Sequence, residues 1–286
     1  MSVNFTRSNL NEMNISAKAF RFLTSILVLP LVIGLVFSAC SPVNYTKLRE
    51  SRKMILRDEG LSQLSYVDLA QPAKNWYVPV PAGRDLQLVG QGRVLIGTGN
   101  GWEERDIATG SKLAEVAAFP GTQTARRLRN GNTLLAGANW QGKQGIVLVE
   151  ADKAGATLRT IVYPGHSYVR CIRETPKGTF LVTADNVVFE GDDTGAVLWK
   201  ADIISEREKP HIWQAQRLKN GNTVVSTGYA KNLQIFSPEG KLVSSITGPA
   251  EVNPNFFSGF QILKNGNYVV TNWQGHGPKF GASGVQ

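Results

Sequence analysis

Three histidines and six tryptophans are the side chains of this 286-residue chain best suited to chemistry. His166 lies in Pro164-Gly165-His166-Ser167-Tyr168, four residues before Arg170, and His211 lies in Pro210-His211-Ile212-Trp213. His276 follows Asn272-Trp273-Gln274-Gly275. Imidazoles beside an arginine suit acid–base or anion chemistry. Trp and Tyr faces set among Asn, Gln and His suit a sugar or a flat, partly polar ligand, because rings stack while amides and imidazoles direct hydrogen bonds. The binding set expected on this basis is His166, Tyr168, Arg170, His211, Trp213, Arg126, Trp140 and Trp273. Within it, His166, His211 and Arg170 are the catalytic candidates. A packing role competes for Trp140 and Trp273, which share the loop Asn-Trp-Gln-Gly and can instead fold between neighbouring units. Other chemistry has no support. The adjacent carboxylates Glu103-Glu104 and Asp192-Asp193 point to opposite faces of a strand and make poor metal clamps. The chain carries no P-loop and no dinucleotide fingerprint. No metal and no cofactor are expected.

The elements that position these residues follow from a repeat. Arg129-Asn130-Gly131-Asn132-Thr133, Lys219-Asn220-Gly221-Asn222-Thr223 and Lys264-Asn265-Gly266-Asn267 are copies of one turn, each leading into an apolar run. Pro176-Lys177-Gly178-Thr179 and Gly90-Gln91-Gly92-Arg93 are degenerate copies. Gly92, Gly131, Gly178, Gly221 and Gly266 are separated by 39, 47, 43 and 45 residues. A period of about 45 residues is that of a four-stranded propeller blade. Asn-Gly before an apolar run predicts a hairpin with two positive φ angles, a type I′ turn. The sequence therefore predicts an all-β propeller of six blades, near 53–83, 84–120, 121–164, 165–205, 206–250 and 251–286. Lys53–Arg57, Gln63–Asp68 and Asn75–Val80 form a first blade lacking its inner strand. The last blade has only Phe257–Leu263 and Tyr268–Thr271, which reads as a chain truncated relative to a complete ring. The alternative is five blades, with residues 53–80 completing the last. The phase of the repeat places the loops around all three histidines, and around Trp102, Trp140, Trp213 and Trp273, on one face.

The first 40 residues read as a leader outside this fold. Arg7, Lys18 and Arg21 precede the apolar stretch from Phe22 to Phe37, which ends in Ser38-Ala39-Cys40. Phe37-Ser38-Ala39-Cys40 resembles a bacterial lipobox, with Phe where Leu is usual, and makes Cys40 the expected lipidation site. An ordinary cleaved signal and a retained anchor are the alternatives. Residues 41–52 would act as the linker. With Cys40 lipidated, Cys171 of the two cysteines stands alone, in a strand, as a small buried hydrophobe. The formal charge of +9 is scattered along the blades, with no basic run interleaved with aromatics, so nucleic acid is not an expected partner.

Two turns carry a family resemblance. Asp192-Asp193-Thr194-Gly195-Ala196-Val197-Leu198-Trp199 resembles the Asp-x-x-Thr-Gly-x-x-x-Trp motif of PQQ-like, quinoprotein-type propeller repeats, and Asp106-Ile107-Ala108-Thr109-Gly110 carries its first half. The Asn-Gly-Asn-Thr turns look like those of smaller exported bacterial propellers related to the arylsulfotransferase and PQQ-like repeat groups. The resemblance implies that Trp199 docks between blades. It does not carry PQQ chemistry over, since adjacent cysteines and an Asp/Glu/Asn cluster are missing. The expected function is that of a lipid-anchored or secreted binding module of the cell envelope. Its partner would be a glycan, an anionic small molecule or an envelope protein, with the membrane reached through the N-terminal lipid. The alternative is a small envelope transferase, lyase or hydrolase with a His/Arg site at the channel mouth.

Overall fold

Strands that are apolar on both faces must be covered on both sides, and here sheets stacked face to face do so. The computed structural model describes residues 2–5, 52–81 and 83–274. The strands are β1 (Ser2–Phe5), β2–β4 (Lys53–Asp58, Gln63–Asp68, Trp76–Pro79) and β5–β8 (Leu86–Gly90, Arg93–Thr98, Gly101–Asp106, Lys112–Val116). They continue with β9–β12 (Thr124–Arg127, Thr133–Ala138, Ile146–Ala151, Thr157–Tyr163) and β13–β16 (Val169–Glu174, Phe180–Ala184, Val187–Gly191, Val197–Asp202). The last are β17–β20 (Ala215–Arg217, Thr223–Ser226, Asn232–Phe236, Leu242–Thr247) and β21–β22 (Phe257–Ile262, Tyr268–Asn272). β2–β4 form sheet I, and β5–β8, β9–β12, β13–β16 and β17–β20 form the antiparallel four-stranded sheets II to V. Sheet VI has the order β21-β22-β1. The six sheets fall at the six positions predicted from the repeat. The sequence reading leaves sheet VI at two strands, whereas Ser2–Phe5 pairs antiparallel with β22 as its third, Ser2 opposite Thr271 and Phe5 opposite Tyr268. The rest of the leader, with Cys40 and residues 41–51, lies outside the described residues, as does His276.

Side-chain alternation explains how each sheet serves two neighbours. In sheet III, Leu134, Ala136, Ile146 and Leu148 pack with Phe180, Val182 and Phe189 of sheet IV. The residues between them, Leu135, Val147 and Val149, pack with Leu95 and Trp102 of sheet II. Leu181 and Val188 turn to Val225 and Phe236 of sheet V, and Val224 and Leu233 turn to Phe257 and Val270 of sheet VI. Leu64 and Val80 join Val94 and Ile96 across sheets I and II. Five buried clusters thus link six sheets in series.

Charged clamps repeat the same register. Arg127, four residues before Gly131, donates to the Gly131 carbonyl at 3.1 Å and to Glu104 of the preceding sheet at 2.5 Å. Arg217, four residues before Gly221, donates to the Gly221 carbonyl at 3.1 Å and to Glu190 of the preceding sheet. Each guanidinium also lies over a tryptophan of that preceding sheet, Trp102 at 4.6 Å and Trp199 at 4.4 Å. Trp199 sits beside the cluster between sheets IV and V.

The turns differ from the type I′ expectation. Gly131, Gly178, Gly221 and Gly266 have φ between +83° and +88°, but the Asn or Lys before each has negative φ. Gly131 N–H donates to the Leu128 carbonyl and Leu128 N–H to the Asn132 carbonyl. This is a type I turn closed by one left-handed glycine. The Asn130 side chain accepts from Asn132 N–H at 2.9 Å and stabilises that shape locally. Gln91-Gly92, with φ of 50° and 68°, keeps the two positive angles.

Candidate functional site

Each inner strand runs from a loop at one end of the propeller to a Gly turn at the other, so the early residues of β13 and those preceding β17 share one end. There Arg170 is held between two rings, with its guanidinium carbon 4.8 Å from the Tyr168 centroid and 4.5 Å from the Trp213 centroid. Arg170 has no carboxylate partner among the described residues, and its buried Nε makes no hydrogen bond. Arg84 lies over the other part of this group, 5.1 Å from the Tyr168 ring, and pairs with Glu59 at 3.2 Å. Arg207 stacks on Tyr229 at 4.0 Å.

The rings form a continuous belt. His211 meets Tyr168 edge-on at 5.8 Å and Tyr229 at 6.0 Å. Tyr229 meets Phe256 at 4.7 Å and Trp273 at 6.4 Å, and Trp213 meets Phe256 at 5.8 Å. The loop carrying His211 is backbone-locked. His211 has φ +57°, and Tyr229 N–H donates to the Pro210 carbonyl at 2.8 Å. Gly228, at φ +60°, exchanges hydrogen bonds of 3.0 Å with Phe257 of sheet VI. A Cβ at Gly228 would fall on the carbonyl oxygens of Pro210 and His211.

The electrostatics of this mouth favour an anion. Burial, then the charges of Arg170, Arg207, Lys209 and Arg84, hold His211 below the ordinary imidazole range. Burial and the neighbouring Arg84 push the Arg170 guanidinium down as well. Positive charge here faces Glu59 as its nearest acid. An anion with a flat apolar part would meet unspent donors and ring faces together.

Comparison with known proteins agrees at the level of architecture. No family model and no curated protein sequence matches the chain. A protein of unknown function from Bacteroides caccae is 21% identical, with a TM-score of 0.64 over 80% of this chain and 85% of that one. A catalytically inactive virginiamycin B lyase from Staphylococcus aureus, with quinupristin, is 11% identical, with a TM-score of 0.55 over 78% and 81%. A luciferin-regenerating enzyme is 12% identical, with a TM-score of 0.58 over 78% and 81%. The chain is a β-propeller. At these identities the likeness extends to the fold alone.

The propeller brings together five of the residues singled out from sequence, namely Tyr168, Arg170, His211, Trp213 and Trp273. It sends the others elsewhere. His166 stacks on Phe189 at 4.8 Å, with Nδ1 3.8 Å from Asp185, and lines a lateral groove with Leu198, Trp199 and Lys200. Its ring partners are not those of His211. Trp140 is buried between sheets II and III against Phe119, and its indole N–H donates to the Pro120 carbonyl at 2.7 Å, so it packs rather than presents a face. Trp273 repeats that contact with Phe256 at 5.7 Å, yet also reaches Tyr229 in the belt. Trp102 lies in β7 and not in a loop, because Gly99-Asn100 alone make the turn. Arg126 lies deeper in the channel, where it and Arg173 meet Asp85. Cys171 is buried, and burial pushes its thiol up to about 12, which makes it an inert thiol. Arg84, Arg207, Tyr229 and Phe256 complete the mouth although the motif reading passed over them. Their signal was only that each stands in or beside a loop of the same phase. Among the described residues no group of His, Cys, Asp and Glu could hold a metal ion, and no helix is long and apolar enough to cross a membrane.

Proposed function

We propose that this propeller is an exported, lipid-anchored binding module of the cell envelope that takes an anion with a flat apolar part at its channel mouth. The observation that carries the binding reading is Arg170. It is a half-buried cation clamped between Tyr168 and Trp213 that forms no direct ion pair among the described residues, with Glu59 acting on it only at longer range. Holding such a charge out of water is costly unless an anion completes it. The export reading rests on the leader and on Cys40 at the end of its apolar stretch.

Titration calorimetry with phenyl phosphate tests the mouth. Arg170→Ala should weaken binding by about tenfold or more, the usual scale for losing a charge-assisted hydrogen bond. Equal affinity of the variant and the parent chain would sink the assignment. A second reading, a small lyase, transferase or hydrolase, draws on His211, whose imidazole is held neutral beside Arg170 as a general base requires. His166 does not join it there, so that reading rests on His211 with the arginine.

A further inference from the structure

Deeper in the channel, toward the Gly turns, lies a second accumulation of positive charge. Asp85, at φ +69° just before β5, is buried with its side chain 4% exposed. Arg173 of β13 grips it with both terminal nitrogens, Nη1 to Oδ2 at 2.5 Å and Nη2 to Oδ1 at 3.1 Å. Leu86 N–H takes Oδ1 at 2.9 Å. Arg126 of β9 approaches the same carboxylate only to 3.7 Å, and its side chain is 22% exposed. Two guanidiniums therefore share one carboxylate that is already fully used by the first. Arg57 adds a third cation nearby, but its nitrogens are spent on the carbonyls of Gly97, Asp85 and Pro81.

Beside Arg126 opens a cavity of about 280 Å³, lined by Arg126, Arg173, Glu174, Thr175, Gln216 and Arg217 among others. Most of its polar groups are committed. Glu174 takes Arg129, and Arg217 donates to Glu190 and to the Gly221 carbonyl. Two are not. Arg126 makes no hydrogen bond, and the Gln216 amide, exposed on β17, makes none among the described residues. Burial and the adjoining Arg173 push the Arg126 guanidinium down to about 10, the direction expected of an unneutralised cation.

We infer that this turn-side cavity is a binding site for a small oxyanion of phosphate type, with Arg126 as its charge partner and the Gln216 amide as its second donor. A bound anion would neutralise Arg126, which otherwise shares the Asp85 carboxylate with Arg173. The Asp85–Arg173 bridge ties sheet II to sheet IV past the inner strand of sheet III, and the residues that line this cavity are not those of the mouth.

Titration calorimetry of the full chain with inorganic phosphate at low salt tests the site. The parent chain should bind one phosphate saturably, and Arg126→Gln should weaken it by about tenfold or more. The same titrations in an Arg170→Ala background remove the mouth's cation; phosphate binding that persists there and falls with Arg126→Gln belongs to this site, so this site and the mouth can fail independently. Absence of saturable binding, or affinity unaltered by Arg126→Gln, overturns the proposal. If circular dichroism shows that Arg126→Gln does not fold, Gln216→Leu takes its place. Weaker phosphate binding then supports the site, and unchanged binding overturns it. Glycerol 3-phosphate forms a second arm. Equal affinity for it assigns the site to a phosphomonoester headgroup, and rejection of it assigns the site to the free ion.

Discussion

At the scale of single residues, charge imbalance and ring contacts mark the mouth. Burial, and then the charge of Arg170, makes protonation of the His211 imidazole unfavourable. The folded value is depressed, so the neutral His211 contributes stability above its unfolded value of about 6.5, and that stability is lost as pH falls through the lower folded value. An anion seated against Arg170 should reverse the effect. In NMR titrations His211 should protonate below pH 6.5 in the free chain and at higher pH with phenyl phosphate bound. His166 is also depressed, chiefly by burial, but Asp185 opposes that shift and His166 lies outside the mouth. Its titration should not respond to the ligand. A response from His166 alone would place the ligand in the lateral groove. Residue types were readable in the sequence, but not which histidine meets which arginine. His166 and His211 occupy similar positions in consecutive repeats, yet one turns onto Phe189 and the other into the ring belt.

At the scale of elements, glycine decides where loops can go. The turn glycines were legible because only a residue lacking Cβ reaches φ near +85° without strain. The turn type was not legible, since Asn accepts either hand and its side-chain bond to the N–H two residues on favours the type I form. Gly228 matters more for function. It sits where the His211 loop, the β18–β19 turn and sheet VI meet. Gly228→Ala adds a left-handed Cβ, a cost of about 1–2 kcal/mol, and drives that atom into the Pro210 and His211 carbonyls. The variant should keep its β-sheet circular dichroism, melt at lower temperature and bind phenyl phosphate more weakly. Unchanged binding would show that the His211 loop does not shape the mouth.

At the scale of the whole molecule, the proposed processing at Cys40 and the pairing of β1 with β22 exclude one another. A mature chain beginning at lipid-modified Cys40 lacks Ser2–Phe5, which leaves β22 as an unpaired edge in sheet VI. A chain that keeps its leader retains β1 as that third strand. Mass spectrometry of the chain recovered from membranes should show an acylated N-terminal Cys40, and Cys40→Ser should move the protein out of the membrane fraction after detergent-free washing. An intact Met1, or no change in fractionation, would remove the lipoprotein assignment and favour β1 as a permanent part of the sheet.

The repeat of about 45 residues determined by itself the four-stranded unit, the order of the sheets along the chain and the ends on which loops and turns lie, because hydrogen-bonded hairpins are local and alternation imposes two covered faces. That the sheets number six and not five was decided by the structure. The resemblance of the Asp192–Trp199 turn implied a packing role for Trp199, and the alternation of its own segment marked Cys171 as a buried residue. Only the tertiary structure decided the site. Asp85 and Arg173 are 88 residues apart and meet through three sheets' worth of packing. Arg170 finds Trp213 on the next blade, and the identical loops around Trp140 and Trp273 end in different surroundings. Contacts of that kind depend on how neighbouring sheets twist and pack against one another, a quantity that no local spacing encodes.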